Sequence, residues 1–155
     1  MAAPSALQFY AKNINVEKMT DLSTATINMI LVTSTYVPNT TVTGHAVYAD
    51  ITNELATGNG YTAGGVTPGG VAVATFSTTG YKLSTNAASW TASGTGIPAW
   101  RYGVLYVVGA LWGVTSPLLA YFTGDSTPAD VPLTASGNTL QINCPANGWF
   151  NITRT

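Results

Sequence analysis

Apolar residues in this chain come in short runs separated by turn residues, and the runs repeat with strand period rather than helix period. "TINMILVTSTYV", Thr26 to Val37, is rich in Ile, Val and Thr and predicts a strand. Pro38 closes it, because proline has no N–H to give to a ladder. Further along, "GVAVATFS" carries Val71 and Val73 in a run toward Phe76, and "YKLS" and "ASWTAS" read as short strands. "WRYGVLYVVGALW" and "PLLAYFTG" form an apolar hairpin with its turn in "GVTSP". "NTLQI" and "GWFNI" supply the last two strands, with "SGN" and "ANG" as their turns. One segment departs from this pattern. In "GHAVYADITNEL", Asp50 and Glu54 sit four apart and Val47, Ile51 and Leu55 share a helical face, which predicts a helix of two or three turns.

The sum is roughly eight short strands at the spacing of a sandwich or barrel. The expected fold is therefore all-β, a jelly-roll-like β-sandwich with one short helix. Residues 1–25 do not clearly alternate, and "SALQFYAKNI" reads as a short strand or an arm reaching onto a partner. The expected organisation is an N-terminal arm over 1–25 and a single β-sandwich domain over 26–155, with no linker and no internal repeat.

Between the expected helix and the next strand lies "ATGNGYTAGGVTPGG", Ala56 to Gly70, with six glycines and no charge. A phosphate-binding loop would need a Lys and a Ser or Thr after the glycines, and then a helix. Here Pro68 leads into β-type residues, and the strand–turn–helix context of a dinucleotide site is missing as well. Glycine instead permits positive φ, so the stretch reads as a shaped loop. Tyr61 at its centre either contacts a neighbouring subunit or folds back over the core.

Composition changes the picture chiefly through charge. Only 7% of the 155 residues are charged, against about 25% in ordinary soluble domains. With 46% hydrophobic residues and a net charge of -1, the chain does not have the composition of a disordered one. Its polar surface must be built from Thr, Ser, Asn and Gly, and a surface so poor in charge is prone to association. Lys12, Lys18, Lys82, Arg101 and Arg154 are scattered singly, so no basic face for nucleic acid is expected. Gly103 to Phe122 carries no charge over nearly the length of a spanning helix. Its β-branched and aromatic residues, broken by Gly109, Gly113 and Pro117, read as hairpin, and no membrane role is expected. The first residues lack the basic start and apolar segment of a signal peptide, so the sequons at Asn39 and Asn151 carry no weight.

Little in the sequence points to chemistry. Asp50 and Glu54 on one short helix suit a solvated face better than an acid/base pair. Asp125 and Asp130 in "GDSTPAD" could offer oxygens to calcium, but their spacing matches no EF-hand. The single Cys144 follows a strand in "LQINCPANG" and reads as an inert thiol. As a nucleophile it would need His45, the single histidine, as its base. His45 itself reads as a packed or capping residue. No catalytic, cofactor-binding or metal residues are assigned, and a non-enzyme is expected.

"INMILVTSTYVPN", "YADITNELATGNGYTAGGVT", "ASWTASG", the apolar hairpin and "GNTLQI" together resemble small structural proteins of tailed bacteriophages and prophages, over about Ile27 to Ile142. The resemblance implies a virion or tail-associated structural role. In that setting the four tryptophans and eight tyrosines suit a permanently assembled subunit, since aromatics are enriched at interfaces. Core packing is favoured for Trp90 and Trp112, while Trp100 and Trp149, near turns, suit core or interface alike. The candidate interface residues are Tyr10, Tyr61, Trp100, Arg101, Trp149 and Phe150. The expected function is capsid decoration or cement. The partners would be the major capsid protein and further copies of the chain, for instance as a trimer on a local threefold axis. A tail tube, baseplate or fibre-associated subunit is the alternative within the same fold. A carbohydrate-binding sandwich with exposed Trp and Tyr platforms is the alternative from another class.

Overall fold

The computed structural model describes residues 8–9, 16–78, 80–127 and 129–153. The fold is an all-β sandwich. Eight of its strands have four or more residues: β2 (Ile27–Val32), β3 (Ala72–Ser77), β4 (Gly80–Ser84), β5 (Ala88–Thr91), β6 (Tyr102–Val107), β9 (Leu118–Thr123), β10 (Thr139–Ile142) and β11 (Phe150–Thr153). Three two-residue pieces, β1 (Gln8–Phe9), β7 (Ala110–Leu111) and β8 (Val114–Thr115), complete the set among the described residues. Every pairing is antiparallel, and the sheets run β1-β9-β6-β2, β10-β5, β11-β4-β3 and β7-β8.

The four-stranded sheet is buried on both faces. Ile27, Met29, Leu31, Leu105, Val107 and Phe122 face a main core built with Leu83, Trp90, Leu140, Ile142 and Phe150 of the opposing strands. Ile30, Val32, Val104, Tyr106 and Leu118 form a second cluster on the other face, with Tyr36 beneath a cover of Tyr48, Ile51, Tyr102 and Tyr121. Antiparallel sheets commonly leave one face to water and then alternate apolar with polar. Here the strands read as continuous apolar runs because the connection after β2 folds over the outer face.

The apolar segment Gly103–Phe122 is a hairpin as expected, but its turn lies at Trp112–Gly113 rather than across "GVTSP", because β7 and β8 extend the pairing and take Val114 and Thr115 into a strand. Trp112 and Gly113 at the tip have φ of 57° and 74°, the left-handed pair that a tight two-residue hairpin turn requires. No helix among the described residues is long and apolar enough to cross a membrane.

Two further expectations need correction. The helix over Gly44–Leu55 is reduced to a single 3₁₀ turn, Tyr48–Asp50. Asp50 Oδ2 accepts from the backbone amides of Ala46 (2.7 Å) and Val47 (3.0 Å), closing that turn, and the chain then extends along β2. The N-terminal segment, in turn, is not all arm. Residues Val16–Thr24 form a 3₁₀ segment whose Met19 and Leu22 are buried in the main core, packed beside β3, β4 and β11.

Candidate interaction surface

The glycine-rich stretch is a strap, and its geometry explains its composition. Leu55 N–H donates to the Leu31 carbonyl (3.0 Å) and Thr33 N–H to the Asn53 carbonyl (3.0 Å), so residues 53–55 run antiparallel to the outer edge of β2. Farther along, Met29 and Val66 exchange two backbone bonds of 2.9 and 3.0 Å on the same edge. Gly65 has φ of +76°, and a side chain there would collide with the Met29 carbonyl. At the other end of the strap, Gly60 lies so close to the Thr91 carbonyl that a Cβ would not fit. Asn59 Oδ1 accepts from Thr95 N–H (3.2 Å), fixing the strap to the end of β5.

Glu54 ties the strap together. Its carboxylate accepts from the Tyr48 hydroxyl (2.5 Å), the Tyr61 hydroxyl (2.7 Å) and the Gly64 amide (2.6 Å). The Tyr61 oxygen in turn accepts from the Leu31 amide (3.1 Å). The Gly64 carbonyl accepts from Tyr106 Oη (2.9 Å) and Asn28 Nδ2 (2.8 Å), while Thr67 Oγ1 donates to Asn28 Oδ1 (2.5 Å). Tyr48 stacks on Tyr106 with ring centroids 4.7 Å apart.

Burial is the largest cause holding the Tyr61 phenol well above its ordinary range; the Leu31 amide opposes this and the Glu54 charge reinforces it. Tyr48 is shifted the same way by burial first and then by its bond to Glu54. Both hydroxyls therefore keep their protons at neutral pH and serve as donors. A carboxylate holding three donors is a structural tie, and its geometry leaves it poorly placed to take up a substrate proton.

Four further reactive groups among the described residues also have local partners. His45 Nδ1 bonds the buried Tyr36 hydroxyl at 2.9 Å, and the two rings stack. Cys144 Sγ donates to the Pro145 carbonyl at 3.5 Å, and burial pushes its thiol up. Asp125 Oδ1 accepts from both N–H and Oγ1 of Thr127 at 2.9 Å, which holds its carboxyl below the usual range. Asp130 pairs instead with Arg101 Nε at 2.8 Å. Among the described residues, no group of three or more His, Cys, Asp or Glu side chains is placed to hold a metal ion.

The structure redistributes the candidate interface residues. Tyr61 (1% exposed), Trp100 (2%), Trp149 (1%) and Phe150 (4%) are core residues and offer no surface to a partner. Tyr61 stacks on Trp90, and Trp149 stacks on Phe122 while its Nε1 donates to Thr85 Oγ1 at 2.8 Å. The physical reason is that these aromatics fill the gap between the opposed sheets, where only large side chains reach across. Among the described residues, the indole N–H groups of Trp90 and Trp100 find no acceptor. Arg101 is half-buried in its pair with Asp130, and Tyr10 lies outside the described residues. Trp112, expected in the core, is half-buried at the hairpin tip and donates to Asp21 Oδ2 at 2.9 Å.

The most exposed large hydrophobics are instead aliphatic. Val37 and Val42, 77% and 70% exposed, stand on the loop after β2. That loop is shaped by Asn39, whose Oδ1 accepts from Thr41 Oγ1 (2.9 Å) and whose carbonyl accepts from His45 N–H (2.9 Å). A shallow groove of about 420 Å³ lies between β10 and the segment from Val131 to Thr134. On the three-stranded sheet, β3 is exposed at Ala72, Ala74, Thr75 and Phe76. Sequence reasoning missed this surface because "AVATFS" has the same apolar character as a core strand. No protein-family model matches this chain, no curated protein matches it, and no solved structure matches it.

Proposed function

We propose that the protein is a structural subunit of a tailed-phage virion, a capsid decoration or cement protein that bridges major capsid subunits and acts mechanically. The observation that carries this reading is the division of labour among its polar groups. Glu54, Asp50, Asp125, Asp130 and His45 are all occupied in ties within the chain, while Val37, Val42, Phe76, Tyr81, Val108 and Leu133 are exposed on a chain with few charges. A body braced in this way transmits load, and a surface poor in charge suits permanent contact with neighbours. The resemblance of "INMILVTSTYVPN" and "YADITNELATGNGYTAGGVT" to phage structural proteins supports the compartment. The carbohydrate-binding alternative called for exposed Trp and Tyr platforms; Trp90, Trp100 and Trp149 are buried, which leaves it Tyr81 and the half-buried Trp112.

The test is the copy number of the chain in purified virions, by quantitative mass spectrometry against the major capsid protein. A number comparable to the capsid protein is expected. A number far below it would replace the cement role with a tail position, and complete absence would overturn the virion reading.

A further inference from the structure

The chain has two long strands at sheet edges, and it treats them differently. The outer edge of β2 is sealed by backbone bonds to residues 53–55 and to Val66. The outer edge of β3 has no such cover: among the described residues, the backbone of Ala72–Phe76 bonds only across to β4. Edge strands that stay monomeric usually carry a charge or a proline, are very short, or are twisted away by a bulge. β3 runs six residues, about 20 Å at strand rise, with neither Pro nor charge. Its one irregularity, a bulge between Thr75 and Ser77, falls at its end and leaves Ala72–Thr75 regular. The nearest charge on the sheet, Lys82, is drawn away from the edge, because its Nζ donates to the Ala146 carbonyl at 3.1 Å.

We propose that the outer edge of β3 is a self-association surface, which pairs antiparallel with the same strand of a second copy about a twofold axis. Three observations select a second copy over a charged partner. The edge is neutral throughout, so it gives an acidic or basic strand nothing to recognise, and two copies at a net charge of -1 each repel only weakly. Its residue sizes are also self-complementary. In a register centred on Ala74, the two small Ala74 residues meet at the axis, and the small Ala72 of each copy lies toward the bulged end that carries the exposed Phe76 of the other. Finally, Phe76, left without a β4 partner by the bulge, and Tyr81 beside it are 40% and 38% exposed, and this pairing would cover apolar area there. Pairing of one such edge buries less than a standard interface, so association is weak in dilute solution and strengthens where copies are held close together.

The test is sedimentation or light scattering of the full chain across a wide concentration range, with Ala74→Lys, Ala74→Glu and their equimolar mixture. Ala74 is exposed, so either charge is accommodated by the monomer. The wild type is expected to self-associate. Each variant alone should associate at least about tenfold more weakly, because like charges meet at the axis, and the mixture should recover association. A wild type that stays monomeric, variants that associate as it does, or a mixture that recovers nothing would each overturn the proposal. Amide exchange of Ala72–Phe76 in the wild type reads the same surface without a substitution, and its slowing at high concentration is required. The inference does not rest on the virion reading: a chain that pairs through β3 but is absent from virions would overturn the location alone.

Discussion

β2 and β3 are both six-residue, uncharged strands at the edge of their sheets, yet one is almost wholly buried and the other is open to solvent. "INMILV" is buried at five of its six positions, and "AVATFS" at none. The difference does not lie in propensity, since both are rich in strand-forming or small residues. It lies in what the following connection does. After β2 the chain turns back, covers the outer face with Tyr36, Tyr48 and Ile51, and lays the glycine strap along the edge. After β3 it turns directly into β4; Val16–Thr24 packs beside the sheet, but among the described residues no segment hydrogen-bonds the outer edge of β3. Edge protection in this protein is thus a property of connections, and glycine is the means, because Gly60 and Gly65 let backbone approach backbone where no Cβ fits.

The largest way to break the comparison is to empty the enclosed sheet. Leu105→Ala, at a fully buried position on β6, is expected to cost about 2–5 kcal/mol in chemical unfolding. Next comes the tie itself. Glu54→Ala removes the acceptor shared by Tyr48, Tyr61 and Gly64, and about 1–3 kcal/mol should be lost. Glu54→Gln keeps one acceptor oxygen and should lose less, and equal losses would show that the side-chain oxygens are not what holds the strap.

Alkaline pH attacks the same network more gently. The folded chain holds the Tyr48 and Tyr61 protons above the ordinary tyrosine range, chiefly through burial, whereas unfolded tyrosines ionise near about pH 10. Stability from these groups is therefore full below that pH and falls as pH rises beyond it, because the unfolded state then binds fewer protons. Melting temperatures should begin to decline near about pH 8.5, where the buried Cys144 thiol contributes in the same sense, and fall further above about pH 10; Tyr61→Phe should make that later decline shallower. The smallest effect belongs to the open edge. Ala74→Lys on β3 should change stability by no more than about 0.5 kcal/mol in dilute solution, and a larger loss would mean that β3 is less exposed than described.

Much of this architecture was legible from the residues. Runs of Ile, Val and aromatic residues located β2, β6 and β9, and the turns in "SGN" and "ANG" fall where Gly137 and Gly148 take φ of 83° and 80°. The strap was legible as a shaped loop, since the glycines demanded a backbone reason. Its destination was not, because the partners of Gly60 and Gly65 lie far away in sequence, at Thr91 and Met29. The same non-locality defeated the helix over Gly44–Leu55: helical spacing was present, but Glu54 finds Tyr61 and Gly64 rather than a helical neighbour. Tyr61, Trp100, Trp149 and Phe150 misled for a related reason. Adjacency to a turn says nothing about which side of the sheet an aromatic ring enters, and all four enter the core.

Residue-resolved hydrogen exchange of the dilute protein reports on both edges at once, the sealed one along β2 and the open one along β3. Slow exchange is expected at Met29, Leu31, Leu55 and Val66, approaching the rate set by global unfolding. Within Ala72–Phe76, the amides that do not bond to β4 should exchange orders of magnitude faster. Fast exchange at Leu55 and Val66 would mean that the strap does not seal β2, and uniformly slow exchange across β3 in dilute solution would mean that its edge is not open.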